Sequence, residues 1–299
     1  MKYKHTITFI NESKEEKLVE EYKDSIIDMV TSLVESNYDF DIDLKVIIKE
    51  PKPGENFVNG ETNNGYSTMK GDSHVVCFTT ESLSRVKEDR GLDLAIAINH
   101  ELGHIYDLYH TMHNKYYKIN PLLRDHNNYP DFVVSEGWKC WTEFHAYYFT
   151  FKEFYNLHEY PTFLQMVKGL KKLDEEYKNE IEPKLGSRSA EHKEQANNFV
   201  NKIEEFIYAL AKHIAGAVRG KPKNYKYTEA TKKQKEFKDM DKIFYGLVCR
   251  IEPMFSNTYG KGMARKLARI GNFLFDKIYA RYKVFPVKHR GNFTFAFYK

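Results

Sequence analysis

Ile96-Ala97-Ile98-Asn99-His100-Glu101-Leu102-Gly103-His104-Ile105-Tyr106-Asp107 is the stretch from which the rest of the chain is read. It sets His-Glu-x-x-His in an apolar run compatible with a helix. At about 100° per residue, His100 and His104 point within about 40° of each other, one turn apart. Two imidazoles so placed can chelate one metal ion at about 2.0–2.1 Å. Glu101 projects about 60° from His104, beside such an ion, where it can act as general base toward a water. The plain alternative is a surface helix with two chance histidines. Against it, Leu94, Ala95, Ile96, Ala97 and Ile98 make the approach apolar nearly all round, which predicts a buried helix. Gly103 inside a helix costs about 1 kcal/mol relative to alanine and asks for a packing reason.

The 299 residues, 41% hydrophobic and 29% charged, can bury a sizeable core as one large domain or two. No run approaches the 18 or so apolar residues of a membrane span. Met1 to Ile10 lacks the apolar centre of a signal peptide and reads as a strand. Cys77, Cys140 and Cys249 are widely spaced and odd in number, so they make neither a disulfide framework nor a zinc knuckle. A cytoplasmic protein without a membrane partner is expected. Charge is uneven. Of 46 basic and 42 acidic residues, 21 and 6 fall in 211–299, so 25 and 36 precede it. Such a basic third is either a nucleic-acid or acidic-partner surface or a solvated lysine-rich face. With no DNA-binding motif beside it, the solvated face is favoured.

Residues 3–10 alternate as a strand, and a helix follows from Glu12 with Leu18, Tyr22, Ile26, Met29, Val30 and Leu33 on one side. Asp41 to Ile48 reads as a second strand and His74 to Phe78 as a third, with a Gly/Asn-rich loop over 51–72 and turns at Asn59-Gly60 and Asn64-Gly65. A helix is expected from Ser82, and Asp93 is a suitable N-cap for the His-Glu-x-x-His helix. The short strand ahead of that helix suggests a groove wall along which an extended peptide could pair by β-addition. A turn region around Asn120-Pro121 precedes an aromatic helix over 133–149. Further helices are expected over 163–177, 191–218, 232–248 and 263–282. The fold expected is α+β: a mixed N-terminal lobe over 1–160, with a small mixed sheet and the His-Glu-x-x-His helix (a zincin-like core on the resemblance given below), then a mainly helical, basic region over 161–299.

Three residues compete as third ligand. His110 completes His-x3-His-x5-His, but Asp107 stands where that pattern has the glycine that ends the helix. If the helix runs on, His110 lies about 120° round from His104 and out of reach. Glu136 and Glu143 are seven apart, about 20° different in direction, so both can face a site. Glu136 opens Glu-Gly-Trp. Glu143 has the better case: Ala146, one turn on, would let its helix pack closely on the metal helix. A carboxylate among Trp138, Trp141, Phe144 and Tyr147 also needs a partner if buried.

His100-Glu101-Leu102-Gly103-His104-x-x-Asp107, with Glu143-Phe144-x-Ala146-x-x-Phe149 downstream, resembles gluzincin-type zinc metallopeptidases. It is nearest to the catalytic domains of anthrax lethal factor-like and Pro-Pro endopeptidase proteins. Phage-repressor-cleaving (ImmA/IrrE-like) peptidases share a similar Glu-x-x-Ala helix. The resemblance covers about residues 90–150. It implies a Zn2+ cofactor held by His100, His104 and Glu143, Glu101 as base, and Asp107 orienting His104 from behind. The place of the family's transition-state tyrosine holds Glu136, so no oxyanion donor is assigned; Tyr147, His145, Tyr109 and His113 are open candidates. The expected activity is hydrolysis of a peptide or protein substrate. The alternative is a zincin-like binding or regulatory module whose basic helices contact nucleic acid or a partner protein. Oligomeric state is not readable from the sequence.

Overall fold

The apolar spacing read from Leu18 onward folds as α1 (Glu16–Asn37), whose Val19, Ile26, Val30 and Val34 are buried. In this computed structural model the described residues are 3–50, 65–70, 73–84, 91–117, 128–154, 161–186, 190–219, 234–255, 258–289 and 291–297. The molecule is mixed α+β and mainly helical. Its contacts divide it into two units: Met1–Tyr109 with Phe149–His158, and His110–Tyr148 with Glu159–Lys299. That differs from a single cut at residue 160.

The first unit holds a four-stranded sheet, β1 (His5–Asn11), β2 (Ile42–Lys49), β3 (Gly65–Lys70) and β4 (Ser73–Thr79), in the order β1-β2-β4-β3. β1, β2 and β4 are parallel, and β3 pairs antiparallel to β4. Alternation decides what each face buries. Leu44, Val46, Ile48, Val76 and Phe78 point into one core, whereas Ile47, Val75 and Cys77 form a small cluster apart from it. The short helix α2 (Thr80–Ser84) follows, then the metal-motif helix α3 (Leu92–Met112). Leu94, Ile98, Leu102 and Ile105 of α3 join the α1 and sheet side chains in the main core. Two sequence expectations change here. β4 lies between β2 and β3, so the edge strand is β3, within the stretch read as loop. Asp93 sits in the first turn of α3 rather than ahead of it. The turns expected at Asn59-Gly60 and Asn120-Pro121 lie outside the described residues, and Asn64-Gly65 is described only from Gly65, where β3 begins.

The second unit is built on α4 (Tyr129–Phe154), α5 (Phe163–Glu176), α6 (Ala190–Arg219), α7 (Lys235–Ile251) and α8 (Met263–Leu274), with the hairpin β5 (Val284–His289)–β6 (Asn292–Phe297). α5 begins with a full capping box: Thr162 accepts from the Gln165 backbone, and the Gln165 side chain accepts from the Thr162 N–H. α8 continues as a π turn over Phe275–Tyr279 and a 3-10 turn over Ala280–Tyr282. Arg281 ties this end down, with Nη2 at 2.5 Å from Asp174 and Nη1 at 2.9 Å from Asp239.

Candidate metal centre

α3 divides its circumference between packing and chemistry. The stripe Leu94, Ile98, Leu102 and Ile105 is buried in the sheet core. His100 follows Ile98 by about 200°, so the imidazoles emerge on the other side. Tyr38 steadies the helix, its hydroxyl donating to the Leu102 carbonyl at 2.6 Å. Phe40 stacks on Tyr109, 3.6 Å between centroids and 4° between planes. Helical hydrogen bonding runs through Met112, so Asp107 does not end the helix.

The two Nε2 atoms of His100 and His104 are 3.0 Å apart. Donors bound at about 2.0–2.1 Å to one tetrahedral ion stand about 3.3 Å apart, so this pair fits a shared ion closely. A shared proton would suit the same separation. Among the described residues, His100, His104 and Glu143 form a group able to hold a metal, one ligand atom from each lying within 4.8 Å of the others. α3 and α4, which carry these residues, both run through the division between the two units. Two imidazoles and one carboxylate, with a fourth position open, is a donor set suited to zinc.

Glu101 is 8% exposed. Burial pushes its carboxyl up to about 7, and a hydrogen bond with Ser67 of β3 pulls the other way. A carboxylate poised near neutrality is matched to accepting and returning a proton. Ser67 is a site residue the sequence reading missed, because the Asn/Gly-rich surroundings hide a six-residue strand.

Asp107 is fully buried, and its charge acts on the hydroxyls of Tyr38 and Tyr106. His110 stacks on Tyr259 with 4.8 Å between ring centroids, about 120° round α3 from His104. Glu136, 4% exposed, accepts from Lys139 Nζ at 2.6 Å and from the Tyr279 hydroxyl at 3.1 Å. Neither His110 nor Glu136 belongs to the group of three. His145 stacks on Trp141, and Tyr147 lies under Lys212 Nζ at 5.0 Å. Set against protein-family models, curated proteins and solved structures, the chain finds no match.

Proposed function

We propose that the chain is a zinc-dependent hydrolase of peptide bonds, similar in fold and site to gluzincin peptidases. The observation that carries this is the buried His-Glu-x-x-His helix with Glu143 near its two imidazoles. His100, His104 and Glu143 would hold the ion. When bound, zinc supplies a Lewis acid for the scissile carbonyl and lowers the pKa of a water to about 7. Glu101 would take a proton from the attacking water and pass it to the departing amine nitrogen. Ser67 holds Glu101 from the edge strand. An extended substrate pairs along β3, the strand that brings Ser67 to the general base. Three free cysteines, two of them buried, support a reducing compartment such as the cytoplasm. No helix among the described residues is long and apolar enough to cross a membrane.

The test is zinc content by elemental analysis, combined with cleavage of a fluorescently labelled unstructured protein. The unaltered chain is expected to hold one zinc and to cleave. Glu101→Gln is expected to keep the metal and lose at least about 100-fold in rate. A metal-free active protein, or an active Glu101→Gln variant, overturns the assignment.

A further inference from the structure

We infer that the outer face of α7 and α8 is a docking surface for single-stranded nucleic acid, with lysines and arginines for its phosphates and Tyr245 for a base. The two helices pack on each other where the Phe273 ring of α8 lies against Gly246, with Arg250 over that ring at 4.2 Å. They run antiparallel, because Asp239, ahead of Gly246, meets Arg281, beyond Phe273. α7 buries Met240, Ile243, Leu247 and Ile251, and α8 buries Met263, Leu267, Ile270 and Leu274. At about 100° per residue, Lys235, Lys238, Lys242 and Tyr245 fall within about 80° of one another, opposite the buried stripe of α7. Arg265 and Arg269, one turn apart, lie on the far side of α8 from its own buried stripe. All six side chains are exposed, Tyr245 to 60%. Each exposed stripe sits about 60° back from the residue at the Gly246–Phe273 contact. In antiparallel helices, equal turns in the same sense bring both stripes to one side, flanking the crease between the helices.

None of these five cations takes an acidic partner among the described residues. That sets them apart from Lys139, Lys202, Arg281 and Lys283, whose charges are taken within the fold. α8 contains no acidic residue, and Glu236, Asp239 and Asp241 of α7 are half-buried, off the exposed stripe. Uncompensated cations gathered on one face attract a polyanion. Cations one turn apart are spaced by about 6 Å along a helix, so two rows of them suit a chain of repeating single charges better than one isolated anion. A membrane surface calls for several large apolar side chains beside the cations, and this face carries one ring. An acidic polypeptide supplies the charges but no base to stack. An exposed tyrosine among cations is the arrangement that stacks an unpaired base while the cations hold the phosphates on either side. A duplex keeps its bases stacked inside and leaves the ring without that partner.

The experiment follows the fluorescence anisotropy of a labelled single-stranded DNA of about 20 nucleotides and mixed sequence, with the full chain in chelator, across a salt series. Binding is expected, with log Kobs falling against log[salt] by about 0.7 for each phosphate held, hence a slope of about −3.5 for five cations. Lys238→Gln with Lys242→Gln, and Arg265→Gln with Arg269→Gln, should each flatten that slope by about 1.4 and weaken binding at low salt. Tyr245→Ala is expected to weaken binding by about 5- to 100-fold and leave the slope in place. Lys171→Gln with Lys172→Gln makes the same charge change at exposed positions of α5 and should alter neither affinity nor slope. All these side chains are exposed, so the unfolding midpoints should stay where they are. The inference is overturned by absent binding, by an equal loss in the α5 control, or by unchanged affinity in Tyr245→Ala. Tighter binding to polyglutamate, or to vesicles of equal parts phosphatidylserine and phosphatidylcholine, overturns it as well. Because the chelator removes any metal, these outcomes are separate from those of the zinc reading.

Discussion

Glu101 is the residue at which stability and chemistry pull apart. Its folded carboxyl titrates near 7, against an ordinary 4.5, chiefly because it is buried. Between those two pH values the folded chain holds a proton that the unfolded chain has released. Stability therefore falls as pH rises through that window, and the difference corresponds to about 3 kcal/mol. In the metal-free protein, urea unfolding at pH 4.5 and pH 7.5 is expected to show this loss, and Glu101→Gln to remove it. Zinc should flatten the slope, since a cation beside the carboxylate favours its charged form. His100, Glu101 and His104 were legible in the sequence because a helix turns spacing into direction. Glu143 and Glu136 were not separable in the same way, being seven apart on one face. In the fold Glu136 is engaged by Tyr279, 143 residues away, and by Lys139, and no local pattern announces such a pairing. Ser67 was missed for the opposite reason: its surroundings read as turns, and a hydrogen bond to Glu101 leaves no trace in a strand of six residues.

Among the elements, α4 is held by an approach that only glycine permits. A Cβ on Gly137 would lie 1.9 Å from the Leu267 carbonyl oxygen of α8, and one on Gly271 would lie 2.1 Å from that of Val133. Both obstacles are backbone, so relief requires the helices to separate. Gly137→Ala and Gly271→Ala are each expected to cost about 3 kcal/mol in denaturant unfolding, at the upper end for overpacking. Gly246 faces only the Phe273 ring of α8, a side chain able to turn, and Gly246→Ala should cost less. Glu136-Gly137-Trp138 begins with one of the competing ligand candidates; in the fold its glycine is a helix contact. The helices were legible because amphipathic spacing persists over many turns, as in α7, where Met240, Ile243, Leu247 and Ile251 are buried. The β5–β6 hairpin was not foreseen. Pro286 argues against a strand on local grounds, and the pattern Phe293, Phe295, Phe297 makes sense only against its partners. Phe295 stacks on Tyr279 at 4.5 Å, and Phe293 and Phe295 lie against Phe132.

At the scale of the whole molecule, the sequence indicated a mixed first part and a helical remainder, while the contacts return residues 149–158 to the first unit. Sequence order hides this because α4 is one helix of 26 residues shared between two sets of neighbours. The basic third was legible as a composition, but its charges are partly engaged in the fold. Arg281 joins Asp174 and Asp239, Lys283 meets Glu182, and Arg250 lies over Phe273. Cations held this way support packing. Metal binding supplies the global test. A ligand that binds only the folded chain stabilises it by RT ln(1 + [L]/Kd), about 4 kcal/mol at a thousandfold excess over Kd. Unfolding is expected to shift upward by that amount in zinc relative to chelator for the unaltered chain, and for Glu136→Gln as well. Glu136→Gln should also lower the chelator-treated baseline, because the variant loses its charged contact with Lys139. Glu143→Gln should reverse this pattern, keeping the baseline and losing most of the zinc increment. If instead Glu136→Gln abolishes the increment and Glu143→Gln spares it, the third ligand is Glu136 and α4 presents the other of its two carboxylates to the imidazoles.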